Sequence, residues 1–170
     1  MLPRTIYLVL TRPATSQRAH FAIFVPSATN PQRGSLINVV GAPMMGFMHE
    51  FQRGYDLGTI DTPHETYAIG QVDPAYIVDW PDGLHATHST PQGDIEVAAS
   101  QIPAPGISEN FMAPVNETTN RRCQEWTLEY VRHLVAKGYI GNEAIQIVQS
   151  KRDPPDFGIG LRPVGVNLRQ

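Results

Sequence analysis

The sequence predicts an α+β domain in which an antiparallel β-sheet packs against a C-terminal pair of helices. Short segments rich in β-branched and aromatic residues fill the first half of the 170-residue chain, and prolines or glycines close them. After residue 116, apolar residues recur at helical spacing. The 14 glycines and 15 prolines supply many turns, and the apolar content of 41% predicts a globular chain.

The strands are predicted in chain order from their apolar runs. Residues 5–11, 20–25 and 36–40 are joined by short links, which favours an antiparallel meander. The second of these runs is apolar almost throughout, which is typical of a strand buried on both faces. Residues 66–72 and 95–99 read as further strands, and 44–55 fits either a strand or a bent loop. We expect a short helix or turn at 74–80, an exposed loop at 85–94 and a long irregular connection at 101–116.

Two helices are predicted in the second half. Asn120 is a favourable N-cap for the first, in which Trp126, Tyr130 and Leu134 recur every four residues and Gly138 provides the stop. The second helix begins at residue 142 or 143 and ends before two prolines. We therefore predict one domain at 1–156 and a C-terminal extension at 157–170, either packed or without fixed structure.

Composition excludes several classes of protein. A net charge of −3 gives no strong attraction to nucleic acid. No apolar run approaches the ~20 residues of a membrane span, and the start of the chain lacks the apolar core of a signal peptide, so we expect a cytoplasmic protein. One cysteine excludes a disulfide framework and a cysteine-built metal site. We expect no metal or cofactor and a small-molecule or acyl substrate; the oligomeric state stays open.

The single cysteine, Cys123, is the first candidate for chemistry. It falls at about the third position of the helix that Asn120 is predicted to cap, where free N–H groups and the helix dipole favour a thiolate. Arg121 and Arg122 add positive charge. The alternative is an inert, buried packing residue.

A thiol nucleophile needs a histidine to take its proton, and His20 is the best of the six candidates. It opens an apolar strand, from whose end it can point at a helix N-terminus. His133 lies ten residues along the helix of Cys123 and cannot reach it. His85 and His88 lie in a polar loop and are either solvated or two ligands of a metal site that lacks others nearby.

Two segments resemble known thiol enzymes. His20-Phe21-Ala22-Ile23 is similar to the histidine strand of circularly permuted papain-like proteins, namely the lecithin retinol acyltransferase-like proteins and the desumoylating isopeptidases. The run from Arg122 to Trp126 resembles their Asn-Cys-x-x-aromatic signature, with Arg122 in place of the asparagine. A closer resemblance, over residues 5–148, is to small uncharacterised fungal proteins, which also show the Ile-Gly-x-Val piece of 69–72 and the Leu-x-x-x-Gly-hydrophobic piece of 134–139.

The resemblance implies a permuted papain-like fold and a catalytic set. Cys123 would be the nucleophile, His20 its base and Asn38 the residue that orients the imidazole; the alternative for Asn38 is a polar edge-strand residue. Gln124, with the Cys123 backbone N–H, would donate to an oxyanion, or else be an exposed helix residue.

Four residues are the candidates for the oxyanion or substrate-binding sites: Gln124, Trp126, Met45 and Phe47. The two on the methionine-rich stretch 44–48 would line an apolar pocket together with Met112, or else fill the core.

Three functions follow as hypotheses. The first is a thiol-dependent hydrolase or acyltransferase that acts on an ester, thioester or amide, as in fungal specialised metabolism. The second is an isopeptidase or cysteine peptidase. The third is a non-catalytic binding or assembly module on a papain-like scaffold.

Overall fold

A six-stranded antiparallel sheet and three α-helices make up the computed structural model, which describes residues 2–159. The strands are β1 (Arg4–Thr11), β2 (His20–Pro26), β3 (Arg33–Ala42), β4 (Gly46–Asp56), β5 (His64–Val72) and β6 (Ala86–His88). The helices are α1 (Asp94–Ser100), α2 (Cys123–Ala136) and α3 (Glu143–Lys151). Short 3₁₀ turns span Leu57–Thr59 and Pro74–Tyr76. The predicted α+β class is therefore confirmed.

The strand order is β5-β1-β2-β3-β4-β6, and every neighbouring pair is antiparallel. The first four strands are neighbours in chain order, which is the predicted meander. β5 returns to the outer edge of β1, and β6 adds three residues at the opposite edge, inside the segment predicted as an exposed loop. The ambiguous stretch 44–55 becomes the longest strand, β4, once β3 offers it an edge.

The two faces of the sheet carry cores of unequal size. Phe21, Ile23 and Val25 of β2 point into the large core beneath the helices. Ala22 and Phe24 point to a small cluster on the opposite face. Alternate side chains of one strand are thus buried on both sides, which explains why residues 20–25 are apolar almost throughout.

The prediction of a strand at 95–99 is wrong, because these residues form most of α1. Ile95, Ala98 and Ala99 follow helical spacing and are buried in the large core. A short apolar run is compatible with both a strand and one and a half helical turns, because it has too few residues to show either period. The choice is made by packing against α2, where the Tyr130 hydroxyl donates to the Ile95 carbonyl at 2.8 Å.

The first long helix begins later than predicted. Arg122 is the N-cap of α2 and Cys123 its first residue, whereas Asn120 lies outside the helix. The buried Asn120 amide donates instead to the carbonyls of Ala113 at 2.8 Å and Pro114 at 3.2 Å, which holds the connection before α2. Cys123 therefore stands at the very start of α2 rather than at its third position.

The remaining connections agree with the sequence prediction. Residues 101–122 contain no helix or strand, and Gly138, with a positive φ of 77°, follows α2. Of the predicted extension at 157–170, residues 160–170 lie outside the described residues. Among the helices of residues 2–159, none is long and apolar enough to cross a membrane.

Candidate active site

A local opening between β2 and β3 creates the site. The β2–β3 ladder runs from Ile23–Ile37 to Pro26–Gly34, whereas β3 continues to pair with β4 as far as Ala42. The first three residues of β2 therefore lie beyond the ladder on the β3 side. Their backbone groups, and those of the residue before them, are available to another element, and the N-terminus of α2 takes this place.

Cys123 reaches the start of β2 from the first turn of α2. Its Sγ lies 3.8 Å from the carbonyl oxygen of Ala19, and the backbone N–H of Phe21 lowers the pKa of the thiol. The residue as a whole is half-buried. The thiol is thus placed where the first turn of α2 meets the start of β2.

His20 lies between the thiol and Asn38. Its Nε2 is 2.8 Å from the Asn38 Oδ1. Asn38 Nδ2 in turn lies 3.2 Å from the Glu50 carbonyl and 3.3 Å from its Oε1, and these contacts orient the amide with its oxygen towards the ring. Because Oδ1 only accepts, the His20 Nε2 carries a proton, and Nδ1 is the nitrogen left to interact with Cys123.

The two titratable groups shift each other. Burial lowers the pKa of His20, but the hydrogen bond and charge of Cys123, with smaller contributions from Asn38 and Glu50, outweigh it and raise the pKa to about 9. Burial raises the pKa of Cys123, but the hydrogen bond and charge of His20 and the Phe21 N–H outweigh burial and lower the pKa below its ordinary value. Each group therefore stabilises the charged form of the other.

Glu50 belongs to the site although sequence reasoning missed it. It lies on β4 directly opposite Asn38, and its Oε1 also accepts from the Gln52 amide at 2.9 Å. The only signal in the sequence is a carboxylate in a stretch that fits either a strand or a loop. The β3–β4 register is needed to place it behind the asparagine.

Gln124 occupies neither of its two expected positions. The side chain is fully buried, and its Nε2 donates to the Ala19 carbonyl at 3.0 Å and to Asp153 Oδ2 at 2.8 Å. An amide nitrogen has two hydrogens, so none is left for an oxyanion. The structure therefore assigns Gln124 to the framework behind the thiol rather than to an oxyanion hole or an exposed helix surface.

Trp126 is likewise a framework residue and not a binding surface. It is fully buried, stacks on Tyr130 with centroids 5.2 Å apart, and donates from Nε1 to the Ile102 carbonyl at 2.9 Å. The aromatic residue three positions after the cysteine thus anchors α2 in the large core.

Met45 and Phe47 lie at the tip of the β3–β4 hairpin and have different environments. Met45 is 81% exposed, so it does not fill the core. Phe47 is half-buried against the large core, and its backbone N–H donates to the Pro105 carbonyl at 2.8 Å. This bond joins the hairpin tip to the long connection before α2.

The histidines of the 85–94 segment lie away from the thiol. His88 is on β6, where its Nδ1 accepts from Arg53 Nε at 3.2 Å, and His85 is exposed. Across residues 2–159, no group of three or more His, Cys, Asp or Glu side chains has the arrangement that a metal ion requires.

A family model matches residues 6–141, which is most of the chain. The family is DUF6540, described as a family of unknown function. The chain belongs to this family. The matched segment includes His20, Asn38 and Cys123, and it ends just before α3. Searches of curated proteins and of solved structures found no match.

Proposed function

We propose that this protein is a thiol-dependent enzyme that cleaves or transfers acyl groups, with Cys123 as nucleophile, His20 as proton acceptor and Asn38 as the residue that orients His20. The observation that carries the proposal is the pairing of a half-buried thiol at the first residue of a helix with an imidazole whose other nitrogen is held by an amide oxygen at 2.8 Å. Cysteine hydrolases require this division of roles.

The proposed reaction needs only groups of this chain and the substrate. The Cys123 thiolate forms a bond to the acyl carbon, the bond to the leaving group breaks, and the proton on His20 passes to that group. The His20 imidazole then takes a proton from water as its oxygen bonds to the acyl carbon. The C–S bond breaks and the thiolate is restored. An alcohol or amine in place of water gives acyl transfer.

The oxyanion of each step would be bound by backbone. Since Gln124 has no free amide hydrogen, the best donor is the Cys123 N–H, which belongs to the first turn of α2 and has no acceptor within the helix. The positive end of the helix dipole acts in the same direction. The histidine strand β2 precedes the cysteine helix α2 in the chain, and this order supports a permuted papain-like arrangement.

An apolar surface beside the site favours a substrate with an apolar acyl chain. Most of the exposed large apolar side chains lie on the hairpin tip and the connection that follows α1: Met44, Met45, Met48, Ile107 and Met112. Backbone bonds of 2.8 Å join these two segments, and the Arg122 guanidinium donates to the Phe111 carbonyl at 2.8 Å, which connects them to the start of α2. Flexible methionine side chains adapt to chains of different shape.

The reactivity of the thiol tests the proposal directly. Because Cys123 is the only cysteine, one iodoacetamide adduct in the intact mass reports on this side chain alone. We expect the native protein to alkylate at pH 6, where an ordinary thiol with a pKa near 8.5 is almost fully protonated. In His20→Ala we expect the pH at which alkylation becomes fast to move towards that ordinary thiol pKa. With an aryl ester, we expect an acyl adduct on the wild type and none on His20→Ala.

His133→Ala is the matched control, because His133 lies on the same helix and bonds to Gln101 at its far end. Its alkylation profile should equal that of the wild type. Alkylation of Cys123 only in denaturant, or an alkylation profile that His20→Ala does not change, would contradict the proposed enzyme activity. Either result would favour a non-catalytic binding module. Acylation by peptides but not by simple esters would indicate a peptidase.

A further inference from the structure

Two polar side chains behind the site hold the residue that precedes His20. The Ala19 N–H donates to Asp153 Oδ2 at 2.9 Å, and the Ala19 carbonyl accepts from Gln124 Nε2 at 3.0 Å. Both backbone groups of Ala19 are thus fixed by side chains rather than by a neighbouring strand. Ala19 is itself buried, so water does not satisfy these groups.

Gln124 and Asp153 also bind each other in both directions. The Gln124 amide donates to Asp153 Oδ2 at 2.8 Å, and the Asp153 backbone N–H donates to Gln124 Oε1 at 2.9 Å. Arg18 Nη2 donates to the same Oε1 at 3.0 Å. Four bonds therefore meet on one buried amide next to Cys123, which makes this the most completely bonded side chain around the thiol.

Asp153 connects this cluster to two further parts of the chain. It follows α3 directly after Arg152, and Arg12 at the end of β1 donates to both of its carboxylate oxygens at 2.9 and 3.2 Å. Arg12 Nη1 also donates to the Gln17 carbonyl at 2.7 Å. The Asp153 carboxylate therefore ties the turn between β1 and β2 to the end of α3, and Arg18 Nη1 adds a bond to the Pro154 carbonyl at 2.9 Å.

We propose that Gln124 and Asp153 are positioning residues that fix the distance between the Cys123 thiol and the His20 ring. Cys123 and His20 are carried by different elements, α2 and β2, and no ladder bond joins β2 to β3 at this level. Gln124 is the residue after the cysteine, and Ala19 is the residue before the histidine. The Gln124–Asp153–Ala19 cluster is thus a buried polar connection between the two elements, next to the contact of the thiol itself with the Ala19 carbonyl. This inference rests on the proposed thiol chemistry.

The cluster acts by position and not through the charge of Asp153. Three charged groups act on the pair: Glu50 raises the pKa of His20, Glu125 raises that of Cys123, and the Arg122 guanidinium interacts with the charge of Cys123. Glu125 is itself paired with Arg18 at 3.2 Å and Arg152 at 2.8 Å. The Asp153 carboxylate is enclosed by Arg12, Ala19 and Gln124, and these partners lower its own pKa against the effect of burial.

The test compares Asp153→Ala with Asp153→Asn in the full-length protein, with the alkylation rate of Cys123 measured from pH 5 to 10. We expect the alanine variant to raise the titration of the thiol by about one unit, so that the rate at pH 6 falls about tenfold while the rates converge near pH 10. Asparagine keeps an oxygen for Ala19 and Gln124, and we expect its profile to stay within about threefold of the wild type.

Asp79→Asn is the matched control, because Asp79 forms the same two-pronged pair with Arg4 at the opposite end of β1. Circular dichroism establishes that each variant is folded. If Asp153→Ala does not fold, Gln124→Met is tested in its place. Methionine keeps the length of the glutamine side chain and removes its polar contacts.

The possible outcomes separate the two proposals. A folded Asp153→Ala with the wild-type profile overturns the positioning role and leaves the thiol chemistry intact. Equal shifts in the alanine and asparagine variants show that charge is what matters, which also overturns it. If the wild-type thiol itself titrates like free cysteine, the proposed function fails and the positioning role fails with it.

Discussion

Two buried ionic clusters, one at the β4–β6 edge of the sheet and one where α2 meets β2, use similar side chains differently. At the β4–β6 edge, the fully buried Arg53 donates to Glu96 Oε2 at 2.5 Å, to the Thr90 carbonyl at 3.0 Å and to His88 Nδ1 at 3.2 Å. Each of its three nitrogens has a partner, so the cluster is closed. It fastens α1 and β6 to β4 and presents no nucleophile.

The cluster at the β2–α2 contact is built from the same residue types, but it ends on a thiol that remains half-buried. Here the arginines pair with Asp153 and Glu125, behind the site, and leave His20 and Cys123 to interact with each other. The comparison indicates that buried arginine–carboxylate pairs serve as framework in both places. The two clusters differ because only the second lies against a pair of half-buried titratable side chains, Cys123 and His20.

The largest expected effect concerns the closed cluster. Arg53→Met leaves the buried Glu96 without its counter-charge, and we expect it to lower the free energy of unfolding by about 3–5 kcal/mol. Denaturant unfolding measures this loss, and Arg4→Met, which removes a more exposed pair, should cost about 0–1 kcal/mol. The alkylation profile of Cys123 should be unchanged in folded Arg53→Met; a shifted profile would mean that the clusters are coupled.

The second effect concerns the orientation of His20. Asn38→Ala removes the bond to Nε2, and we expect the turnover number on an aryl ester to fall by up to about 100-fold with little change in KM, because a misplaced base affects the chemical step. Steady-state kinetics separate the two parameters. Gln52→Ala, which removes the amide on the far side of Glu50, is the control and should retain most of the activity. Equal losses of turnover number in Asn38→Ala and Gln52→Ala would show a general disturbance of strands β3 and β4 rather than a specific role of Asn38.

The smallest effect concerns the exposed hairpin tip. Met45→Ser should leave the free energy of unfolding within about 0.5 kcal/mol of the wild type, since the side chain is 81% exposed. It should lower kcat/KM for long-chain esters about two- to fourfold relative to acetyl esters, the loss of roughly one buried methylene contact. Leu2→Ser, which removes a similarly exposed apolar side chain before β1, should not change this ratio. An unchanged ratio for Met45→Ser places the acyl chain elsewhere.

Particular elements show how far sequence reasoning reaches. β2 and α2 were predictable because each has a strong period or composition of its own: apolar residues on both faces in one, apolar residues every four positions in the other. α1 was not, because seven residues are too few to separate the two periods and its burial depends on Tyr130 and Arg53. The N-terminus of α2 was misplaced because Asn120 bonds to the preceding loop instead of the helix.

The candidate site divides in the same way. The residue types and positions of Cys123, His20 and Asn38 are enough to predict them as candidates. The structure brings His20 within 2.8 Å of Asn38 and near enough to Cys123 for each of the two to shift the pKa of the other. The roles of Glu50, Gln124 and Asp153 had no local signal. Each depends on a partner many residues away: Asn38 across a ladder for Glu50, and Ala19 for the other two.

Periodicity and the chemistry of single side chains are enough to predict the strands of the meander, the cysteine-bearing helix and the candidate nucleophile. Three features emerge only in the folded chain: β2 and β3 part ahead of Ile23, α2 begins at Cys123 and fills the opening, and two buried side chains hold Ala19 beside it. These features are set by register and by polar groups that must find partners once buried, and neither requirement is local in the chain.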